Sequence, residues 1–117
     1  MNVFSQWKID VISVYDGDTI TANVHLPFSI TLSNQKIRLL YIDAPEIKGG
    51  NDESRKAAGK SKDYLIKLLK GTQIYLYTVP KQPERDAFGR ILGILKTKYV
   101  IVNKKMIEDG HAVLYVK

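Results

Sequence analysis

The sequence predicts a mainly β protein with helical elements (α+β). The expected form is a five-stranded, partly closed antiparallel barrel of the OB type, with one longer helix between strands 3 and 4 and a short C-terminal helix. Three observations lead there. Alternating, β-branched-rich runs recur along the chain. One long amphipathic stretch interrupts them after the third run. Strands and helices do not alternate as βαβ units, which leaves a small barrel as the arrangement that accommodates them.

The first strand is read over Trp7 to Tyr15, which alternates and is rich in β-branched residues. Asp16-Gly17 breaks it, as expected of a hairpin turn with φ > 0 at glycine. Thr19 to Leu26 resumes the alternation, with Ile20, Ala22, Val24 and Leu26 in phase. Pro27 to Asn34 reads as a loop or hairpin tip. The third strand, Lys36 to Ile42, is apolar on both faces and is expected to be buried on both; Pro45 ends it.

Ile47 to Glu53 holds Gly49-Gly50 and reads as a mobile loop. Ser54 to Lys70 is the strongest helix. Ser54 is placed to cap it, and Lys56, Lys60, Asp63, Lys67 and Lys70 form a polar stripe at helical spacing. Ala57, Ser61, Leu65, Leu68 and Leu69 lie towards the other face, and Gly71 supplies the stop. Gln73 to Val79 is a fourth strand, Pro80 to Gly89 a polar loop and Arg90 to Thr97 a fifth strand. Asn103 is placed to cap a short helix, Lys104 to Asp109, that ends at Gly110. His111 to Val116 closes the chain as an extended piece.

One domain over residues 1–117 is expected for a chain of this length. The absence of cysteine excludes a disulfide framework, thiolate metal sites and a cysteine nucleophile. No stretch is apolar over a bilayer's thickness, so no membrane partner is expected. Met1 to Asp10 lacks a basic region followed by an apolar run. A cytoplasmic location is therefore expected, although a secreted form with its signal already removed would read the same. A monomer is expected. The net charge of +6 favours a polyanionic partner, because neutralised phosphates release condensed counterions.

Three short stretches carry candidate chemistry. In Asp16-Gly17-Asp18-Thr19, turn chemistry accounts for Asp16 and Gly17 but not for Asp18, which stands at a strand start where it can offer oxygen to a hard cation. Arg38 shares a strand face with Leu40 and Ile42 and is therefore expected to be partly buried. It is either structurally paired with Asp43 or another carboxylate, or aimed as a rigid fork at a phosphate. Asp43 and Glu46 bring two carboxylates into one small space. Asp86-Ala87-Phe88-Gly89-Arg90 places a further arginine at a loop-strand junction, either surface or functional. Together these residues satisfy the needs of phosphodiester hydrolysis: a cation, positive charge at the transition state, and a carboxylate beside the attacking water.

The same stretches resemble the staphylococcal nuclease family in Asp16-Gly17-Asp18-Thr19, Ile37-Arg38-Leu39-Leu40, Ile42-Asp43-Ala44-Pro45-Glu46 and Phe88-Gly89-Arg90, in order and at similar spacing from about Ile9 to about Tyr115. The resemblance implies a calcium-dependent nuclease acting on DNA and RNA, with Ca2+ held by Asp18, Asp43 and the backbone carbonyl of Ala44. It implies phosphate contacts from Arg38 and Arg90, and Glu46 as general base or as the residue that positions water. Cleavage between phosphorus and the 5′ oxygen would leave 3′-phosphate ends. Phe88 and Tyr115 are the implied substrate contacts.

The chain departs from the family pattern in three places. Ala87 and Phe88 replace a lysine-tyrosine pair that contacts the neighbouring phosphate. Tyr115 alone stands for a tyrosine pair near the end of the family domain. The chain stops at Lys117, where well-known members continue into another helix, and lower stability is expected of it. The competing class is a catalytically weak nucleic-acid-binding module of the OB type. Against it, three carboxylates near a phosphate repel it unless a cation lies between.

The remaining candidates read as structural. His25 and His111 are assigned surface or junction roles, since without cysteines they make a zinc site improbable. The basic run from Arg55 to Lys70 is a solvated face that also steers polyanions, and Tyr75 and Tyr77 are read as sheet packing.

Overall fold

A computed structural model describes residues 5–46 and 50–116. In chain order the elements are β1 (Ser5–Asp16), β2 (Thr19–His25), β3 (Thr31–Leu39), β4 (Ile42–Asp43), α1 (Asp52–Leu69), β5 (Ile74–Thr78), β6 (Ile91–Lys96), α2 (Val102–Glu108) and β7 (Val113–Leu114). Five strands close a barrel in the order β1-β2-β3-β6-β5, while β4 and β7 form a separate two-stranded antiparallel ribbon. The expected α+β barrel is therefore present, with two differences. It closes fully, because β5 pairs with β1 from Ser5↔Thr78 to Ile9↔Ile74. It is also not wholly antiparallel, since β3 and β6 run parallel from Ile37↔Ile91 to Leu39↔Gly93.

The barrel is filled by the inward residues of alternating strands. Ile9, Ile20, Ala22, Val24, Ile37, Leu39, Leu76 and Leu95 are almost wholly inaccessible, as the period-two pattern requires. The same core takes in Leu65 and Leu69 from α1 and Val102 and Met106 from α2, so barrel and helices share one apolar interior. Burying a single side chain of this size contributes about 1.5–3 kcal/mol.

Several boundaries differ from the sequence reading. β3 begins at Thr31, not Lys36, because Leu32 and Thr31 pair with Val24 and His25 beyond a bulge in the β2–β3 ladder. It ends at Leu39, where Tyr41 adopts a left-handed backbone (φ 69°) and sends Ile42 into a new ribbon. Ile42 is consequently buried, whereas Arg38 points to the outside of the barrel. Part of the expected loop at Ile47 to Glu53, residues 47–49, lies outside the described residues.

Helix α1 starts two residues before the expected cap. Asn51, not Ser54, is the N-cap, and its Oδ1 accepts from the Ser54 N–H at 2.8 Å. Ala58, not Ala57, is the buried alanine. Asn103 does not cap the second helix either. It lies inside α2, where its Oδ1 accepts from the Leu95 N–H at 3.0 Å and its Nδ2 donates to the Leu40 carbonyl at 2.8 Å. One side chain thereby ties β6, the end of β3 and α2 together.

Candidate active site

The site forms where the β1–β2 hairpin meets the outer face of β3. Asp16 pairs with Thr19, leaving Gly17-Asp18 as the turn. Gly17 is needed here for closeness, not for the positive φ expected of it; its φ is not in the left-handed region. A Cβ at this position would lie 1.9 Å from Ser61 Oγ of α1 and 2.8 Å from Ala44 Cβ. The turn is thus pressed against the helix. Ser61, fully buried, donates its hydroxyl to the His111 carbonyl at 2.7 Å and links both to the C-terminal segment.

This packing fixes Asp18, whose side chain is only 7% exposed. Its Oδ2 accepts from the Ala44 N–H at 2.8 Å and its Oδ1 from the Thr19 hydroxyl at 3.0 Å. Its own N–H donates to Asp16 Oδ1 at 3.1 Å. Burial, reinforced by the hydrogen bond to Asp18 and that residue's charge, pushes the Asp16 carboxyl up to about 6.

Arg38 answers this acidic turn. Register places it opposite Thr19, with Lys36 opposite Thr21 two residues back on the same face. The guanidinium, 15% exposed, lies 3.2 Å from Asp18 Oδ2 and 3.5 Å from Asp43 Oδ1, and donates to the Leu39 carbonyl at 3.1 Å. The pairing expected from sequence is present, with Asp18 as well as Asp43, and Arg38 also borders an open cavity.

That cavity, about 790 Å³, is bordered by Asp16, Asp18, Arg38, Asp43, Glu46 and Arg90. The β1–β2 turn, β3, β4, the segment after β4 and the loop before β6 therefore deliver to one place Asp18, Arg38, Asp43, Glu46 and Arg90, the five charged side chains singled out from sequence. Lys36 and Lys62, with Ser13, Val14, Tyr15, Thr19 and Thr21, complete the wall. Lys36 was legible, being in phase with Arg38. Lys62 carries a weaker signal: it follows Ser61, the residue that seats Gly17.

Arg90 approaches from the loop before β6, and its position is set by Asp86. The Arg90 Nε lies 2.7 Å from Asp86 Oδ2, while Asp86 Oδ1 accepts from the N–H groups of Phe88 and Arg90, both at 2.9 Å. Burial pulls the Asp86 carboxyl upward, but these N–H groups and the guanidinium outweigh it and hold it below its ordinary value. Phe88 is 85% exposed, with the Arg90 guanidinium 5.6 Å from its ring centre. Neither Phe88 nor Tyr115 borders the cavity; Tyr115 is half exposed and donates its N–H to the Tyr41 carbonyl at 2.8 Å.

The two histidines lie apart from this site. His25 bonds Asp10 at 2.6 Å on the surface, and His111 stacks on Tyr64 with ring centres 4.3 Å apart.

The oxygen donors suit a hard cation. Asp18, Asp43 and the Ala44 carbonyl offer oxygen only, which matches calcium better than zinc. Among the described residues Asp18 of the buried Asp16–Asp18 pair meets one guanidinium, that of Arg38, so a cation would relieve the pair's excess negative charge. Among the described residues no three Asp, Glu, His or Cys side chains converge into a ready-made cluster. A bound ion would accordingly draw on backbone carbonyl and water as well.

A closed β-barrel with acidic and basic side chains gathered around one open cavity defines the class of fold and site. Residues 36–117 match the family described as staphylococcal nuclease homologue, and the chain belongs to that family. It is 28% identical over 107 residues to an uncharacterized protein of Bacillus anthracis, a match covering 92% of this chain and 47% of that protein. It is 30% identical over 77 residues to a probable staphylococcal-like nuclease of Oryza sativa subsp. japonica, covering 66% of this chain and 18% of that protein. The chain thus spans less than half the length of these two relatives. No described helix is long and apolar enough to cross a membrane.

Proposed function

We propose that the protein is a calcium-dependent nuclease that hydrolyses phosphodiester bonds of DNA and RNA at the 5′ P–O bond, leaving 3′-phosphate ends. The observation that carries this reading is the convergence of Asp18, Arg38, Asp43, Glu46 and Arg90 on one open cavity. Further support comes from the family and from the rice relative's name.

In this reading Arg38 and Arg90 take the non-bridging phosphate oxygens from two sides, as planar guanidinium forks do. Asp86 fixes the second fork, and Asp18 and Asp43 fix the first. Glu46, exposed at the cavity edge, orients a water and accepts its proton as the oxygen bonds to phosphorus and the bond to the 5′ oxygen breaks. Calcium, held by Asp18, Asp43 and the Ala44 carbonyl, would neutralise phosphate charge and stabilise the charge that builds in the transition state.

The test is incubation with single-stranded DNA and RNA under calcium, magnesium or chelator, followed by end-group analysis. Calcium-dependent cleavage to 3′-phosphate ends is expected. Glu46→Gln should slow it by at least about 100-fold, the scale of general-base catalysis; a fall under about tenfold would remove Glu46 from that role. Absence of cleavage with salt-sensitive binding retained would instead make the protein a nucleic-acid-binding module.

A further inference from the structure

The outer face of the barrel on β1, β5 and β6 carries a row of side chains that the cavity does not use. Register sets Lys8 of β1 opposite Tyr75 of β5, and Tyr75 opposite Lys96 of β6. Directly opposed residues share a face and approach to about 4.5–5.5 Å at Cβ, so Tyr75 stands between Lys8 and Lys96 across three strands. Beyond Lys96 the chain turns tightly: Thr97 N–H donates to the Val100 carbonyl, and Thr97 Oγ1 accepts from the N–H groups of Tyr99 and Val100. The turn presents Tyr99, 77% exposed, with the Lys98 ammonium 5.9 Å from its ring centre.

Lys8, Lys96 and Lys98 are exposed and make no ion pair among the described residues. Asp10, two residues along β1 from Lys8, is engaged by His25 at 2.6 Å. Lysines without carboxylate partners, interleaved with tyrosines on an open sheet face, are suited to phosphates and unpaired bases together: the ammonium groups hold the backbone and the rings offer stacking surfaces. A duplex hides its base faces and an acidic peptide has none.

We propose that this face, Lys8–Tyr75–Lys96 with the Lys98-Tyr99 turn, binds a single-stranded segment of nucleic acid at a place separate from the cavity at Arg38 and Arg90. Nothing in it depends on cleavage, so it survives or fails independently of the cavity's activity.

The experiment is fluorescence anisotropy with labelled oligothymidylate and oligouridylate of about 15 nucleotides, in chelator, from about 50 to about 200 mM salt. The double variant K8Q/K96Q should bind at least about tenfold more weakly. Its log K against log salt slope should be shallower by about 1.4, the value for two lost contacts to a single strand. Tyr75→Leu should weaken binding by about fivefold or more, the loss of one stacked base; if that variant melts lower, the exposed lysine pair decides alone. The loss should be the same in an Arg38→Lys background, as for independent sites.

Unchanged affinity and slope in K8Q/K96Q would overturn the proposal. So would equal competition by polyglutamate of matching length, which would reassign the face to acidic chains in general. A concentration-dependent dimer in sedimentation, dispersed by K8Q/K96Q or Tyr75→Leu, would overturn it in favour of a second copy.

Discussion

At position 17 even a methyl group is too large. The Cβ of an alanine there would overlap Ser61 Oγ and crowd Ala44, so the Asp18 turn would have to lift off α1. Gly17→Ala is expected to lose about 1–3 kcal/mol by overpacking, read as a lower urea midpoint, and to weaken the proposed calcium site because Asp18 moves with the turn. Ser61→Gly in the same chain should recover part of the stability. Asp86 gives a second test at this scale. Its carboxyl is held below its ordinary value, so its contribution is present above the unfolded pKa near 3.9 and is lost as pH falls through the depressed folded value. The acid limb of the stability curve should therefore be flatter for Asp86→Asn than for the wild type, which a thermal-melting series across pH 2–6 would check. Sequence singled out the acidic and basic residues that border the cavity because turn chemistry left Asp18 unexplained and one chemistry then joined it to Arg38, Asp43, Glu46 and Arg90. It did not reveal why Gly17 is there, since closeness to Ser61 depends on a helix whose docking no local pattern encodes.

Among the elements, sequence located the strands and the long helix through their hydrophobic periods, but it misplaced what holds them together. Asn103 illustrates the reason. An asparagine before a short amphipathic run is a common cap. Here the β-region backbone of Ile101 starts α2 without a side-chain cap bond, which frees Asn103 to satisfy Leu95 N–H and Leu40 C=O across the fold. Asn103→Ala should cost about 1–3 kcal/mol for each buried backbone group left unpaired, and its effect should be seen in hydrogen exchange at Leu95 first. Asn51→Ala removes only a surface cap and should cost about 1 kcal/mol. The larger loss at the residue read as a mere cap would separate a tertiary tie from a local one. The break at Leu40-Tyr41 was illegible for a related reason: nothing about a tyrosine favours φ 69°. The surroundings impose it, because the Leu40 N–H donates to Gly93 and the Tyr41 carbonyl accepts from Tyr115.

Over the whole molecule, the basic balance read from composition is distributed unevenly. Lys36, Arg38, Lys62 and Arg90 face the cavity, while Lys8, Lys96 and Lys98 stand on β1, on β6 and in the turn beyond it. Nucleic-acid affinity should accordingly fall steeply with salt. Neutralising Lys36 and Lys62 together should reduce that slope without moving the melting temperature, since neither makes an ion pair among the described residues.

The closing of the barrel also sets a timetable for a growing chain. β1, β2 and β3 leave the ribosome as a meander with two open edges, and the strands that seal them, β5 and β6, come after the whole of α1. At roughly 5–20 residues per second those edges stay unpaired for seconds. Through that interval the nascent protein offers strand edges to any neighbouring chain, a hazard that passes only when β6 emerges.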